Sequence, residues 1–75
     1  MKDLLVILAR NLVDKPDEVV VTESLLDGAT VLKLTVAPDD MGKVIGKQGR
    51  IARAIRTVVK AAAVHANVKV IVEII

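Results

Sequence analysis

Residues 43–60 read KVIGKQGRIARAIRTVVK, and the fold turns on how this stretch is understood. Gly46 and Gly49 stand three apart, between a short apolar run and a long amphipathic one, with Lys47 and Gln48 between them. A plain helix–helix turn, a phosphate cradle and a nucleic-acid clamp all use such a pattern. Beyond the glycines the sequence is helical in period. At 100° per residue from Arg50, the residues Ile51, Ala54, Ile55, Val58, Val59 and Ala62 occupy one arc of about 40–180°. Arg50, Arg53, Arg56 and Lys60 occupy about 240–360°. The spacing predicts a helix from Arg50 to about His65, its apolar stripe on the core and its basic arc outward. Folding does not require four bases there, since alternating signs solubilise a helix equally well and add favourable pairs.

Ahead of this stretch, Leu4, Leu5, Leu8, Leu12 and Val13 recur at helical steps, predicting a helix from Asp3 to Val13 that Pro16 terminates. Residues Glu18–Leu26 are rich in β-branched side chains and predict a strand. Asp27-Gly28 is a tight-turn signal, and Thr30–Val36 alternates, with Leu32, Leu34 and Val36 on one face. Ala37-Pro38-Asp39-Asp40 opens a short second helix, with proline in its first turn and carboxylates at the positive end of the dipole. After the third helix, Asn67 is a breaker, and VKVIVEII closes as a strand with Val68, Val70, Val72 and Ile74 on one face. The order is α-β-β-α-α-β. It predicts an α+β domain over residues 1–75, with a mixed three-stranded sheet covered on one face by three helices.

Seventy-five residues bury a small core, and single cores of this size rarely supply more than about 3–5 kcal/mol. With no cysteine, neither disulfides nor thiolate metal sites are available, so self-association is the expected source of further stability. The opening run MKDLLVILARNL is too short for a membrane span and lacks a signal-peptide cleavage pattern. A cytoplasmic location is the expectation. Residues 1–40 carry eight acids against four bases, a net −4, whereas residues 41–75 carry seven bases against Glu73, a net +6. Such polarity suggests a face for polyanions.

The loop belongs to that basic half. Glycine permits a sharp bend that lies close against a ligand, and the third helix begins there with unpaired amides that favour anions. Lys47 and Arg50 add full charges, and Lys43 stands one turn earlier. A charged rim beside an aliphatic floor, with Val36 among the nearby strand residues, suits a single nucleic-acid strand. Nucleotide cofactors fit poorly. Neither a strand ahead of the glycines with a later acid nor a Gly-Lys-Ser/Thr run is present.

VIGKQG, in this slot, resembles the GXXG signature of KH domains, and the element order is similar to their type II form. Nearly the whole chain, including APDDMGKVIGKQGRIARAIRTVVKAAA, resembles the small stand-alone KH proteins of bacteria, the KhpA type. The resemblance implies a protein that clamps about four nucleotides of single-stranded RNA. No nucleophile–base pair, metal cluster or pair of catalytic carboxylates can be assembled from the sequence, so the expectation is a non-enzyme that binds with low selectivity, as an RNA chaperone or post-transcriptional regulator. Carried over, Gly46, Lys47, Gln48 and Gly49 hold the sugar–phosphate backbone, while Lys43, Arg50 and Arg53 supply cations. Ile45 and Ile51 form or support the groove. It further implies a homodimer, and a heteromer with a larger multidomain KH protein of the KhpB or Jag type. One departure is visible: an isoleucine commonly stands three residues after the second glycine, and here Ile51 stands two after it. Rival readings are a protein–protein adaptor and a single-stranded DNA binder.

Blander assignments compete for several residues. Asp39 and Asp40 are expected as helix-start carboxylates rather than a metal pair, Met41 as core, and His65 as a surface residue near the helix end. No cofactor or metal is expected. Arg56 and Lys60 divide evenly between ligand contact and solvated surface. Val64, with Ala61 and Ala63, forms a candidate dimer patch.

Overall fold

The computed structural model describes Met1–Ile75. Helix α1 (Lys2–Arg10) precedes strands β1 (Val20–Leu26) and β2 (Ala29–Thr35), then α2 (Met41–Ile45), α3 (Arg50–His65) and β3 (Val70–Ile74). The α-β-β-α-α-β order and the mixed three-stranded sheet are as expected. β1 and β2 form an antiparallel hairpin, with Val20 opposite Thr35 and Leu26 opposite Ala29. Asp27 (φ 51°) and Gly28 (φ 81°) make its two-residue turn. β3 runs parallel to β2 on the other side, so β2 is central and the outer edge of β3 is unpaired.

Leu32 and Leu34, on one face of β2, join Leu5, Ala9, Val21, Val36, Val44, Ile55 and Val59 in one buried cluster drawn from all three helices. Val20, Thr22, Ser24 and Leu26, on the opposite face of β1, are exposed. Val31 also lies on that open face yet is buried, because it occupies the central strand between Ser24 and Ile71.

Element ends shift for local reasons. α1 stops at Arg10 rather than Val13, because the Leu12 amide tightens onto the Ala9 carbonyl (3.0 Å) and the Asn11 side-chain amide donates to Ile7 O (2.7 Å). Pro16 starts a 3-10 turn over Pro16–Glu18, which delays β1 from Glu18 to Val20. At the end of α3, Asn67 adopts φ 57°, its amide reaches Val64 O (3.1 Å) and the Val68 amide reaches Ala63 O (3.0 Å). This is the paired closure of a Schellman cap. It spends the amide of Val68 on the helix, so β3 begins at Val70 instead of Val68.

The phase of α3 corrects the expected stripe. Ala52, Ile55, Val59 and Ala63 are buried, while Ala54 and Val58 are exposed. On the helical wheel this is a rotation of about 70°. Ala63 therefore leaves the supposed surface patch for the core, whereas Val64, 71% exposed, and Ala61 stay outside.

Candidate nucleic-acid interface

Five residues make α2, too few for stability by propensity alone, so the position of the glycine loop depends on how α2 is anchored. Val44 anchors it from the core at 0% exposure. Asp40 anchors its start. The Asp40 side chain is buried, and its two oxygens accept the backbone amides of Asp14 (3.1 Å) and Lys15 (3.0 Å), in the segment between α1 and β1. Lys43 Nζ pairs with Asp14 and lies 3.7 Å from Asp40 Oδ1. Asp39 pairs with Lys15 at 3.3 Å. Burial of Asp40 works against its ionisation, but the two amides, Lys43 and Lys15 together hold its carboxyl below the usual range. The hydrogen bond from Lys43 to Asp14 is the main reason its ammonium is held above the ordinary lysine range, against some desolvation and with help from the Asp14 and Asp40 charges.

The loop itself contains three left-handed or glycine-only conformations: Gly46 (φ 75°, ψ 175°), Gln48 (φ 56°, ψ 25°) and Gly49 (φ 72°, ψ 17°). The Gly46 amide closes α2 on Gly42 O at 2.8 Å, and the Gly49 amide returns to Gly46 O at 3.1 Å. The two glycines serve different ends. A side chain on Gly46 would meet Ile51 Cγ1 at 2.6 Å and Ile51 Cβ at 2.9 Å, whereas one on Gly49 would meet nothing within 4 Å. Gly46 makes room for the protein's own Ile51. Gly49 is the open glycine, with free space beside its backbone.

Lys47 and Gln48 project from the turn and are exposed. Arg50 Nη2 donates to Gln48 Oε1 at 3.5 Å. No side chain caps the N-terminus of α3, and its first amide, that of Arg50, is taken by Lys47 O in the turn itself, so the positive end of the helix dipole lies at the turn. Lys47, Arg50, Arg53, Arg56 and Lys60 have no carboxylate within ion-pairing distance; only Lys15 and Lys43 do. The cations of the loop and the basic arc are thus uncompensated, and Lys43 is not.

Two grooves flank α3. One, of about 440 Å³, is lined by Arg56, Lys60, Val70, Ile71 and Val72, along the unpaired edge of β3. This is a charged rim over an aliphatic floor, but the floor is β3; Val36 is buried in the core. Arg56 and Lys60, evenly balanced on sequence, belong to this groove. Neither Ile45, 38% exposed at the end of α2, nor Ile51 lines it. Ile51 supports the loop from beneath. That Val70–Val72 line this groove is not legible in local periodicity, because strand order, which places β3 at an edge, is not written there. The other groove, of about 270 Å³, runs between α1 and α3 and is lined by Leu8, Asn11, Leu12, Ile51, Ala54, Ile55 and Val58.

An α-β-β-α-α-β chain whose second and third helices meet at a G-x-x-G turn, beside a three-stranded sheet, is a KH domain of type II. Residues 2–74 match the family described as KhpA/KhpB, KH domain. The chain belongs to that family. It is 64% identical over 75 residues to the RNA-binding protein KhpA of Clostridium perfringens, with both chains covered completely. The RNA-binding protein KhpA of Clostridium acetobutylicum is similar to the same degree and extent. That of Treponema pallidum is 50% identical over 74 residues, which are 99% of this chain and 92% of the relative.

Proposed function

We propose that this chain is a non-enzymatic, single KH module that binds single-stranded RNA with low sequence selectivity, as an RNA chaperone or post-transcriptional regulator of the cytoplasm. One observation carries the reading. Five uncompensated cations lie on the G-x-x-G turn and along one arc of α3, beginning at the open Gly49 and ending at the aliphatic edge of β3. The names of the relatives support RNA as the polymer. No helix is long and apolar enough to cross a membrane.

In this reading Gly46–Gly49 hold about four nucleotides by the sugar–phosphate backbone. Lys47 and Gln48 touch phosphate and sugar oxygens. Arg50 and Arg53 neutralise the next phosphates along the strand, Arg56 and Lys60 continue the track, and Ile45 flanks the turn. Bases lie over Val70–Val72. With no aromatic side chain for stacking, binding is weak and salt-dependent. The test is titration of a fluorescent ten-nucleotide RNA with wild type and with the double variant Lys47→Asp, Gln48→Asp. Both glycines remain, and aspartate tolerates the left-handed conformation at 48. Loss of binding supports the clamp. Unchanged binding refutes it, and a matched DNA titrated alongside decides which polymer is preferred.

The α1–α3 groove favours a second, compatible reading for partners. Its exposed Leu12, Ala54 and Val58 are apolar and lie away from the β3 groove, so a homodimer, or a heteromer with a KhpB or Jag-type protein, leaves the RNA track open. Two linked tracks raise the effective concentration of each for one strand.

A further inference from the structure

The Asp14–Lys43–Asp40 cluster lies outside the turn, yet it holds the helix that carries it. Its two acids differ in kind. Asp40 is buried and committed to two backbone amides, so it has no freedom to leave. The Asp14 side chain is 77% exposed and is held only by Lys43, one helical turn before Gly46. An exposed ion pair of this type is weak, and a phosphate near the turn can replace the carboxylate as the partner of Lys43.

Resting on the RNA reading above, we propose that these two acids set the strength of the clamp without touching the nucleic acid. Asp40 is a positioning residue that anchors α2 under the turn. Asp14 is a built-in competitor that holds Lys43 until a phosphate displaces it. Lys43 is then a conditional contact, unlike Lys47, whose charge is free throughout.

The two acids make opposite predictions. Replacing either removes a negative charge near a polyanion site, so electrostatics alone tightens binding in both cases. In the proposal only Asp14→Asn tightens it. Asp40→Asn keeps the shape but presents an NH₂ group to one of the two amides, which leaves that donor unpaired. α2 loosens, and binding weakens despite the lost charge.

The experiment is anisotropy titration of a ten-nucleotide oligouridine against wild type, D14N, K43M, D14N/K43M, D40N and D17N. Asp17 is an exposed acid without an ion pair and serves as the charge control. D14N is expected to bind about threefold tighter than D17N. The gain should vanish in the K43M background. D40N should bind about fivefold more weakly. Amide exchange on free D40N should quicken at Met41–Gly49 while β2 keeps its protection, which separates loosening of α2 from general unfolding.

D14N indistinguishable from D17N, a gain that survives K43M, or D40N as tight as wild type would each overturn the inference while leaving RNA binding intact. Wild type that binds no RNA overturns the RNA reading and, with it, the competitor role of Asp14. The exchange measurement still decides the anchoring role of Asp40.

Discussion

Ile51 fills the space that a side chain on Gly46 would need, with its Cγ1 2.6 Å from that position. The first glycine of the turn is therefore fixed by packing and by backbone, and the second by backbone alone. Gly46→Ala combines a clash against a β-branched side chain with a φ/ψ pair that only glycine occupies readily. Gly49→Ala incurs only the left-handed conformation, at about 1–2 kcal/mol. Thermal unfolding should show the larger loss for Gly46→Ala. In the double variant Gly46→Ala, Ile51→Ala part of that loss should be recovered relative to additivity. Strictly additive losses would show that Ile51 does not support the turn.

The acid limb of stability should report Asp40. Its folded pKa lies below the usual carboxylate value of about 3.9, so its contribution is full above that value and disappears as pH falls through the folded pKa. Lys43 behaves conversely. Its folded pKa is raised, so its contribution is full below about 10.4 and is lost as pH rises through the folded value. Urea unfolding across pH should show Asp40→Asn with a shallower decline in acid and Lys43→Met with a shallower decline in alkali. Parallel curves for wild type and variants would remove both assignments.

Self-association through the α1–α3 groove predicts a separable variant. Val58 is 45% exposed and lines that groove, so Val58→Asp should leave the folded monomer within about 0.5 kcal/mol of wild type. Sedimentation equilibrium should show a shift to monomer, and RNA titration a loss of avidity with the single-site contacts intact. An unchanged mass distribution would place any dimer elsewhere.

What the sequence revealed and what it hid divide along physical lines. Element order was legible because leucine period, β-branched runs and the residues Pro16, Asp27-Gly28 and Asn67 act locally. The turn was legible because its glycines sit where φ is positive. The phase of α3 was not. Alanines at 52, 54, 61, 62 and 63 are indifferent to burial, so periodicity does not distinguish Ala52 and Ala63, which go inside, from the others. The anchoring of α2 was also hidden, since Asp40 reaches an amide 26 residues away. Lys43 consequently looked like one more free cation, and only its distance to Asp40 and its pairing with Asp14 show otherwise.

The groove along β3 yields a prediction that distinguishes it from a merely solvated helix face. Arg56 and Lys60 line it together with Val70, Ile71 and Val72, whereas Lys69 and Lys33 carry like charge outside it. If a strand of RNA leaves the turn along this track, each removed phosphate contact lowers the log–log salt slope by about 0.7. Arg56→Gln with Lys60→Gln should therefore flatten the slope by about 1.4 and weaken binding at low salt, with little change in stability, since both side chains are exposed. Lys33→Gln with Lys69→Gln removes the same formal charge and should leave the slope nearly unaltered. A diffuse attraction to net charge would make the two pairs equivalent, so equal slopes would exclude the β3 groove as the path of the polynucleotide. Shortening the RNA adds a second dimension. An oligomer of four nucleotides, held mainly at Gly46–Gly49, should be less sensitive to the Arg56 and Lys60 changes than one of ten, because only the longer strand runs the full length of the Arg56–Lys60 track.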